Sequence, residues 1–239
     1  MKNAVVVVVT ALFVSACCMG PRAKKEYEAA VASELARYPA QTKTYPAGPM
    51  TPRPWKVGQW TLSKVVRKGI TGYERVGIVG QDASGWWVET VRQDSKQKSV
   101  TKVLFEKPPE APKSGETPRA ALDLVKLIIT QTDGQPAQTI DMNGPQGQMM
   151  KSMLGTNFAA FQWSFGPAAE KKDVTVPAGT FQGTQPVFAK VQIAFITASA
   201  TAWVHPAVPL NGGVRTEGSD GGVTELVAFG ESGATSELR

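Results

Sequence analysis

Few side chains of this 239-residue chain are suited to covalent or metal chemistry. The sequence holds one histidine, His205, and two cysteines, which are adjacent at Cys17 and Cys18. One imidazole cannot supply two zinc ligands, and the chain beyond residue 18 has no thiol. Zinc fingers, iron–sulfur sites and cysteine–histidine nucleophiles are therefore excluded, and we expect no metal and no other cofactor.

Carboxylates offer a second route to catalysis, because two of them facing a cleft can cleave glycosidic bonds. Glu74, Asp82, Glu89 and Asp94 lie close in sequence, but most fall in turns or on alternating polar strand positions, where solvation is expected. His205 lies between Val204 and a proline, at a strand end, and is expected to be either structural or solvated rather than catalytic. With no phosphate loop, nucleophile elbow or metalloprotease motif in the sequence, no catalytic residue is assigned and the chain is not expected to be an enzyme.

Aromatic and methionine side chains are the candidates for contact with an apolar ligand. The tryptophans either line a cavity or form the core, and both alternatives stay open. Met149, Met150 and Met153 fall within five residues, on a segment whose apolar side chains recur at helical spacing. Since methionine repacks easily around different shapes, this helix is either a lid that exchanges its side chains for acyl chains or a docked part of the core. The candidate ligand-facing residues are Trp60, Trp87, Met149, Met150, Met153, Leu154 and Phe158.

The N-terminus has the order of a secretory signal. A basic residue, Lys2, precedes the eleven-residue apolar run 4–14, which small residues follow. Such a run rises about 16 Å as a helix, less than the roughly 30 Å of bilayer hydrocarbon. Residues 1–16 are therefore predicted to be a signal peptide.

The four residues Val14-Ser15-Ala16-Cys17 resemble the lipobox of bacterial lipoproteins. The resemblance implies cleavage before Cys17, a diacylglycerol thioether on its sulfur and acylation of its amine, and several acyl chains anchor stably. It also implies outer-membrane rather than inner-membrane retention, because Cys18 is not the aspartate that favours the latter. The alternative is an ordinary cleaved signal with a chance cysteine.

Charge is unevenly distributed along the chain. The net charge is +6, and residues 56–107 hold ten basic and five acidic side chains. A basic half beside a membrane anchor favours anionic lipid or lipopolysaccharide phosphate as a neighbour. The alternative is a solvated face that keeps the protein soluble, and no nucleic acid partner is expected.

The residues before Trp55 predict a helix and a spacer. Residues 22–38 are rich in alanine and glutamate, and Tyr27, Val31, Leu35 and Tyr38 form one apolar stripe before a proline. Residues 45–54 contain four prolines and predict a semi-rigid spacer of up to roughly 31 Å between the anchor and the main body.

From Trp55 onward the pattern is typical of an antiparallel meander. Short β-branched and aromatic runs, joined by Gly, Asp and Ser turns, predict strands within 56–66, 73–79, 86–91 and 99–105. Residues 120–131 are ambiguous between helix and strand, and 146–161 predict a helix. Strands return within 172–176, 180–190, 191–204 and 223–229.

Three segments of the last third, 176–181, 203–210 and 224–230, resemble parts of periplasmic lipoproteins with a curved antiparallel sheet and a capping helix, among which the Lol-type carriers are best known. The resemblance implies that fold and, in those carriers, a concave face that holds acyl chains. It carries over no binding residue.

The predicted fold class is therefore mainly β, with a curved antiparallel sheet or open half-barrel and a capping helix. The expected organisation is signal peptide 1–16, tether 17–54, β domain 55–230 and tail 231–239. We expect an envelope lipoprotein held by acylated Cys17 at the outer membrane, facing the periplasm, that binds lipid or another apolar ligand. The alternative is a structural or assembly partner of another envelope protein. An unfilled apolar cavity would favour the former, and a filled core with an exposed edge or apolar patch the latter.

Overall fold

The structure is a computed structural model that describes residues 22–51, 53–109, 122–159, 161–167, 170–193 and 196–238, with side chains described outside 154–163 and 191–197. Two helices are described, α1 (Lys25–Ala36) and α2 (Pro145–Ala159). The strands are β1 (Thr44–Tyr45), β2 (Trp60–Arg67), β3 (Ile70–Asp82), β4 (Gly85–Gln93), β5 (Lys98–Phe105), β6 (Val125–Thr132), β7 (Gln138–Asp141), β8 (Phe161–Phe165), β9 (Lys172–Val176), β10 (Gly179–Ile193), β11 (Ile196–Val204), β12 (Gly213–Gly218) and β13 (Val223–Gly230). No helix within these ranges is long and apolar enough to cross a bilayer.

All these strands belong to one open sheet that does not close into a barrel. Its order is β1-β10-β11-β12-β13-β2-β3-β4-β5-β6-β7, and β8 and β9 also pair with β10. Every pairing is antiparallel except that of β1 with β10. The predicted fold class, a mainly β chain with an open sheet and helices, is confirmed.

The meander β2 to β6 forms where the alternating runs predicted it, because β-branched and aromatic side chains pack well on a pleated surface. The ambiguous segment 120–131 contributes strand β6. The pairing of β13 with β2 joins the two halves of the sheet, and it brings residues more than 150 positions apart into register, such as Val223 and Val66.

Both faces of the meander β2 to β6 are packed. One face of β3 to β6 carries the cluster of Val76, Ile78, Val88, Phe105 and Ile128, which Trp55, Met142 and Leu210 cover. The opposite face of β2 to β5 is covered by α1 and by residues 231–238, here called the C-terminal tail. The predicted stripe of α1 packs there, with Val31 buried and Leu35 and Tyr38 beside it.

The proline-rich segment does not stand off as a spacer but lies against the sheet. Tyr45 stacks on Phe181 with ring centroids 4.5 Å apart, and Trp55 is buried against Phe105. Gly179 permits the contact: its φ is +128°, and a Cβ there would lie 2.4 Å from the Lys43 carbonyl oxygen. The spacer prediction was wrong because composition reports local stiffness, whereas these long-range contacts depend on the partner side chains.

Candidate functional site

A buried carboxylate organises the face that α1 and the tail cover. Glu89 on β4 is only 3% exposed. It accepts hydrogen bonds from the Ser236 hydroxyl at 2.6 Å, the Glu237 N–H at 2.7 Å and the Leu238 N–H at 3.2 Å. These donors take the place of water, so the carboxylate is stable inside the protein only while the tail is in place.

A set of ion pairs beside Glu89 joins α1, the sheet and the tail. Arg75 pairs with Glu237 and lies 3.8 Å from Glu34 Oε1, an atom that is buried without a hydrogen-bond partner. The outer oxygen of Glu34 accepts from Arg37 at 2.9 Å, and Glu237 also pairs with Lys98 at 2.7 Å. Three cations and two carboxylates thus form a network of ion pairs beside Glu89.

A cavity of about 320 Å³ lies beside this network, between the end of α1, the sheet and the tail. Its aromatic wall is Tyr38 and Trp60, whose ring centroids are 5.5 Å apart, and the Trp60 Nε1–H donates to the Ser232 carbonyl at 3.0 Å. The remaining lining residues include Arg37, Arg75, Gly77, Val79, Glu89 and Val91. Guanidinium and carboxylate groups suit a small hydroxyl-bearing or hydrated guest, and they oppose an acyl chain.

Burial also shifts a titrating group in this layer. The Tyr73 hydroxyl donates to Gln93 Oε1 at 3.1 Å. Burial, reinforced by the nearby negative charge of Glu237 and Glu34, raises the pKa of Tyr73 to about 12. The phenol therefore stays protonated and serves as a fixed hydrogen-bond donor.

The two tryptophans proposed as ligand-facing lie on the same face of the sheet but have separate surroundings. Trp60 lines the cavity, whereas Trp87 donates through Nε1 to Asp82 at 2.9 Å and lies under the Lys102 ammonium, 5.2 Å from the ring centroid. Both are half-buried. Trp87 is two residues from Glu89, yet it does not line the cavity.

The methionines proposed as ligand-facing do not join the tryptophans. Met149 and Met153 on α2 point into solvent, with 63% and 62% of their surfaces exposed. Met150 packs on the cluster around Val88 and Phe105, which is on the sheet face opposite to Trp60. Leu154 and Phe158 lie outside the residues whose side chains are described, and Cys17 lies outside the described residues.

His205 is placed to hold the chain together. It is 1% exposed, its Nε2 is 3.1 Å from the Pro46 carbonyl oxygen, and its Nδ1 accepts the Ala207 N–H at 3.1 Å. Burial lowers the pKa of His205, which favours the neutral ring with its proton on Nε2. Both nitrogens are thereby engaged by backbone groups, and the ring fixes the proline-rich segment to the loop after β11.

The other carboxylates named from the sequence serve local structure. Glu74 pairs with Arg92 across β3 and β4, Asp82 accepts from Trp87 and Ser84, and Asp94 accepts the N–H groups of its own turn. The hydrogen bond from Trp87 leads the causes that lower the pKa of Asp82. For Glu89 the expected solvation was wrong, because the donors that replace water come from the tail, almost 150 positions away, and no local pattern indicates them.

A solved structure is similar to this chain, at low sequence identity. No family model and no curated protein matches the sequence. Among solved structures, the chain is similar to a crystal structure from Parabacteroides distasonis whose protein is provisionally named a lipoprotein. The identity is 15%, the alignment covers 74% of this chain and 97% of that one, and the TM-score is 0.32, which is too low to transfer any property.

Proposed function

We propose that this chain is a non-enzymatic envelope lipoprotein, anchored through acylated Cys17, whose β domain serves as an assembly partner for another envelope protein. The anchor is supported by the apolar run and by the lipobox resemblance of residues 14–17. The assembly role is supported chiefly by one observation: the chain's own residues cover both faces of the meander β2 to β6, and the cavity left on one face has charged walls.

The packing on its two faces argues against an acyl-chain site on the meander β2 to β6. Met142 is fully buried beneath β3 to β6, together with Trp55 and Leu210. On the other face Leu238 and Val31 complete the core, and the cavity beside them has charged walls. Moving an acyl chain into either place would require displacing buried side chains or breaking ion pairs, and each costs free energy.

An exposed apolar area lies next to a sheet edge, as an assembly surface requires. Met149 and Met153 are one helical turn apart on α2, which contacts the edge strand β7. Residues 138–141 of β7 are mostly exposed and pair on one side with β6. A partner protein that adds a strand to β7 would also cover the two methionines.

The experiment combines the anchor and the ligand question. Wild-type protein and the variants Cys17→Ser and Cys18→Ser are expressed in bacterial cells, and membranes are separated from the soluble fraction. We expect Cys17→Ser to leave the membrane fraction or stay unprocessed, and Cys18→Ser, the matched control, to behave as wild type. Unchanged membrane association of Cys17→Ser would contradict the anchor.

The same Cys17→Ser protein, purified without detergent, is then weighed by native mass spectrometry. We expect the mass of the polypeptide alone, because the core is filled. A stoichiometric lipid adduct that survives purification would contradict the assembly role and favour the carrier.

A further inference from the structure

The start of α1 is fixed at one end of the sheet. The Lys24 N–H donates to the Ser95 carbonyl at 2.7 Å, and the Tyr27 hydroxyl donates to Asp133 Oδ1 at 3.0 Å. The Lys24 ammonium lies 3.6 Å from Asp133 Oδ2. Ser95 belongs to the turn between β4 and β5, and Asp133 to the turn between β6 and β7, so α1 begins where these two turns meet.

Connections of an antiparallel meander alternate between the ends of the strands. The turns 68–69, 94–97 and 133–137 therefore lie at the same end as the start of α1. We call these three turns, with residues 22–25, the tether rim. The turn 83–84 lies at the opposite end, one strand length away, which for the nine residues of β4 is about 30 Å.

The chain between an acylated Cys17 and this rim is short. Seven residue steps separate Cys17 from Lys24, and an extended chain spans at most about 3.6 Å per step, or roughly 25 Å in all. The proline-rich segment adds nothing to this reach, because it follows α1 and packs on the sheet through Tyr45 and Trp55. An anchor at Cys17 thus keeps the tether rim within roughly 25 Å of the bilayer, a limit that does not apply to the opposite end.

The charges of the rim suit an anionic surface. The acids of its turns have local partners: Asp94 accepts the Lys96 N–H, and Asp133 pairs with Lys24. Among the described residues, Arg22, Lys25, Lys68 and Lys96 have no ion pair, against Glu26, Glu28 and Asp94 on the acidic side, since a backbone N–H leaves the charge of Asp94 in place. The groups left to face outside contacts therefore have a positive balance.

We propose that the tether rim is a membrane-contacting surface that rests on anionic lipid headgroups. In this orientation α2 and the turn 83–84 lie farther from the lipid than the rim does. This orientation depends on the proposed anchor at Cys17. It also leaves the exposed methionines of α2, which follow β7 at the opposite end, accessible to a partner.

The test uses full-length acylated protein carrying Cys18→Ser, in which the thioether blocks Cys17. A single thiol is introduced at the rim by Gln97→Cys, or at the opposite end by Ala83→Cys, since both positions are exposed. Each is labelled with a fluorophore and reconstituted into phosphatidylcholine–phosphatidylglycerol vesicles that contain a headgroup-nitroxide lipid. We expect several-fold stronger quenching at position 97 than at 83, and equal or reversed quenching would overturn the proposal.

Charge-reversal variants distinguish quenching that depends on a contact with the headgroups from quenching that the anchor at Cys17 produces alone. The pair Lys68→Glu and Lys96→Glu should reduce quenching at position 97 in vesicles with phosphatidylglycerol, whereas the matched pair Lys56→Glu and Lys107→Glu, at the opposite end, should not. No difference between the two pairs would overturn the headgroup contact. Flotation of the same vesicles checks the anchor independently: protein that does not float contradicts the proposed function, and protein that floats with uniform quenching contradicts only the rim.

Discussion

The buried polar side chains of this protein are stabilised by hydrogen bonds to distant parts of the chain. Glu89 is the clearest case, since a carboxylate 3% exposed is held by one hydroxyl and two backbone N–H groups of the tail. His205 is similar, with each ring nitrogen engaged by the backbone. The sequence could indicate a structural histidine, but the acceptor role of Glu89 depends on residues almost 150 positions away and left no local pattern.

Glu89→Gln should detach the tail partially, because an amide presents N–H groups where the carboxylate accepts hydrogen bonds. We expect the free energy of unfolding to fall by about 1–3 kcal/mol. Urea unfolding followed by tryptophan fluorescence measures it. Glu106→Gln, at an exposed pair with Lys126 3.9 Å away, is the matched control and should change stability by less than about 1 kcal/mol. Equal effects of the two changes would argue against the role of Glu89.

The lowered pKa of His205 predicts a pH dependence with a definite sign. The imidazole of the unfolded chain has a pKa of about 6.5, so it binds a proton at pH values where the folded protein does not. The stabilising effect of the neutral ring is therefore complete above that value and is lost as the pH falls below it. Thermal unfolding of wild type and His205→Gln between pH 7.5 and 5 measures the difference. A wild type no more acid-sensitive than the variant would contradict it.

At the scale of elements, local patterns predicted most strands and both helices. The alternation of β2 to β5 and the stripe of α1 repeat every few residues, so a single sequence shows them. The short strands β1, β8 and β12 were not predicted, because their positions depend on pairing with β10, β11 and β13. The proline-rich segment was misjudged for the same reason.

Stability measurements around α2 show which of its methionines belong to the core, as in a docked helix, and which lie free on its surface. Met142, just before it, is fully buried, so Met142→Ala should cost about 2–5 kcal/mol of unfolding free energy. Met149→Ala and Met153→Ala remove exposed side chains and should stay within about 0.5 kcal/mol. Chemical denaturation of the three variants measures this series. Large losses from Met149→Ala or Met153→Ala would show that their exposed positions are not those of the folded state.

At the scale of the whole molecule, the meander β2 to β6 of one open sheet is covered on both faces by other parts of the chain. Alternation predicted a sheet, but it did not predict that α1 and the tail lie side by side over β2 to β5. Gly77 shows how close the tail approaches, since a Cβ there would lie 2.9 Å from the Ala234 Cβ. This close approach of the tail to the sheet supports the assembly role that we propose.

Hydrogen exchange at the tail tests this central claim most directly. In a filled domain, the amides of Ala234, Glu237 and Leu238 donate to Gly58 and Glu89 and are held against the sheet. Exchange of native protein, followed by mass spectrometry of peptides covering 232–238 and β4, should show protection of the tail close to that of the strand. Exchange of the tail at the rate of an unfolded peptide, with β4 still protected, would mean that this face opens readily, and the account of a permanently filled sheet would be contradicted.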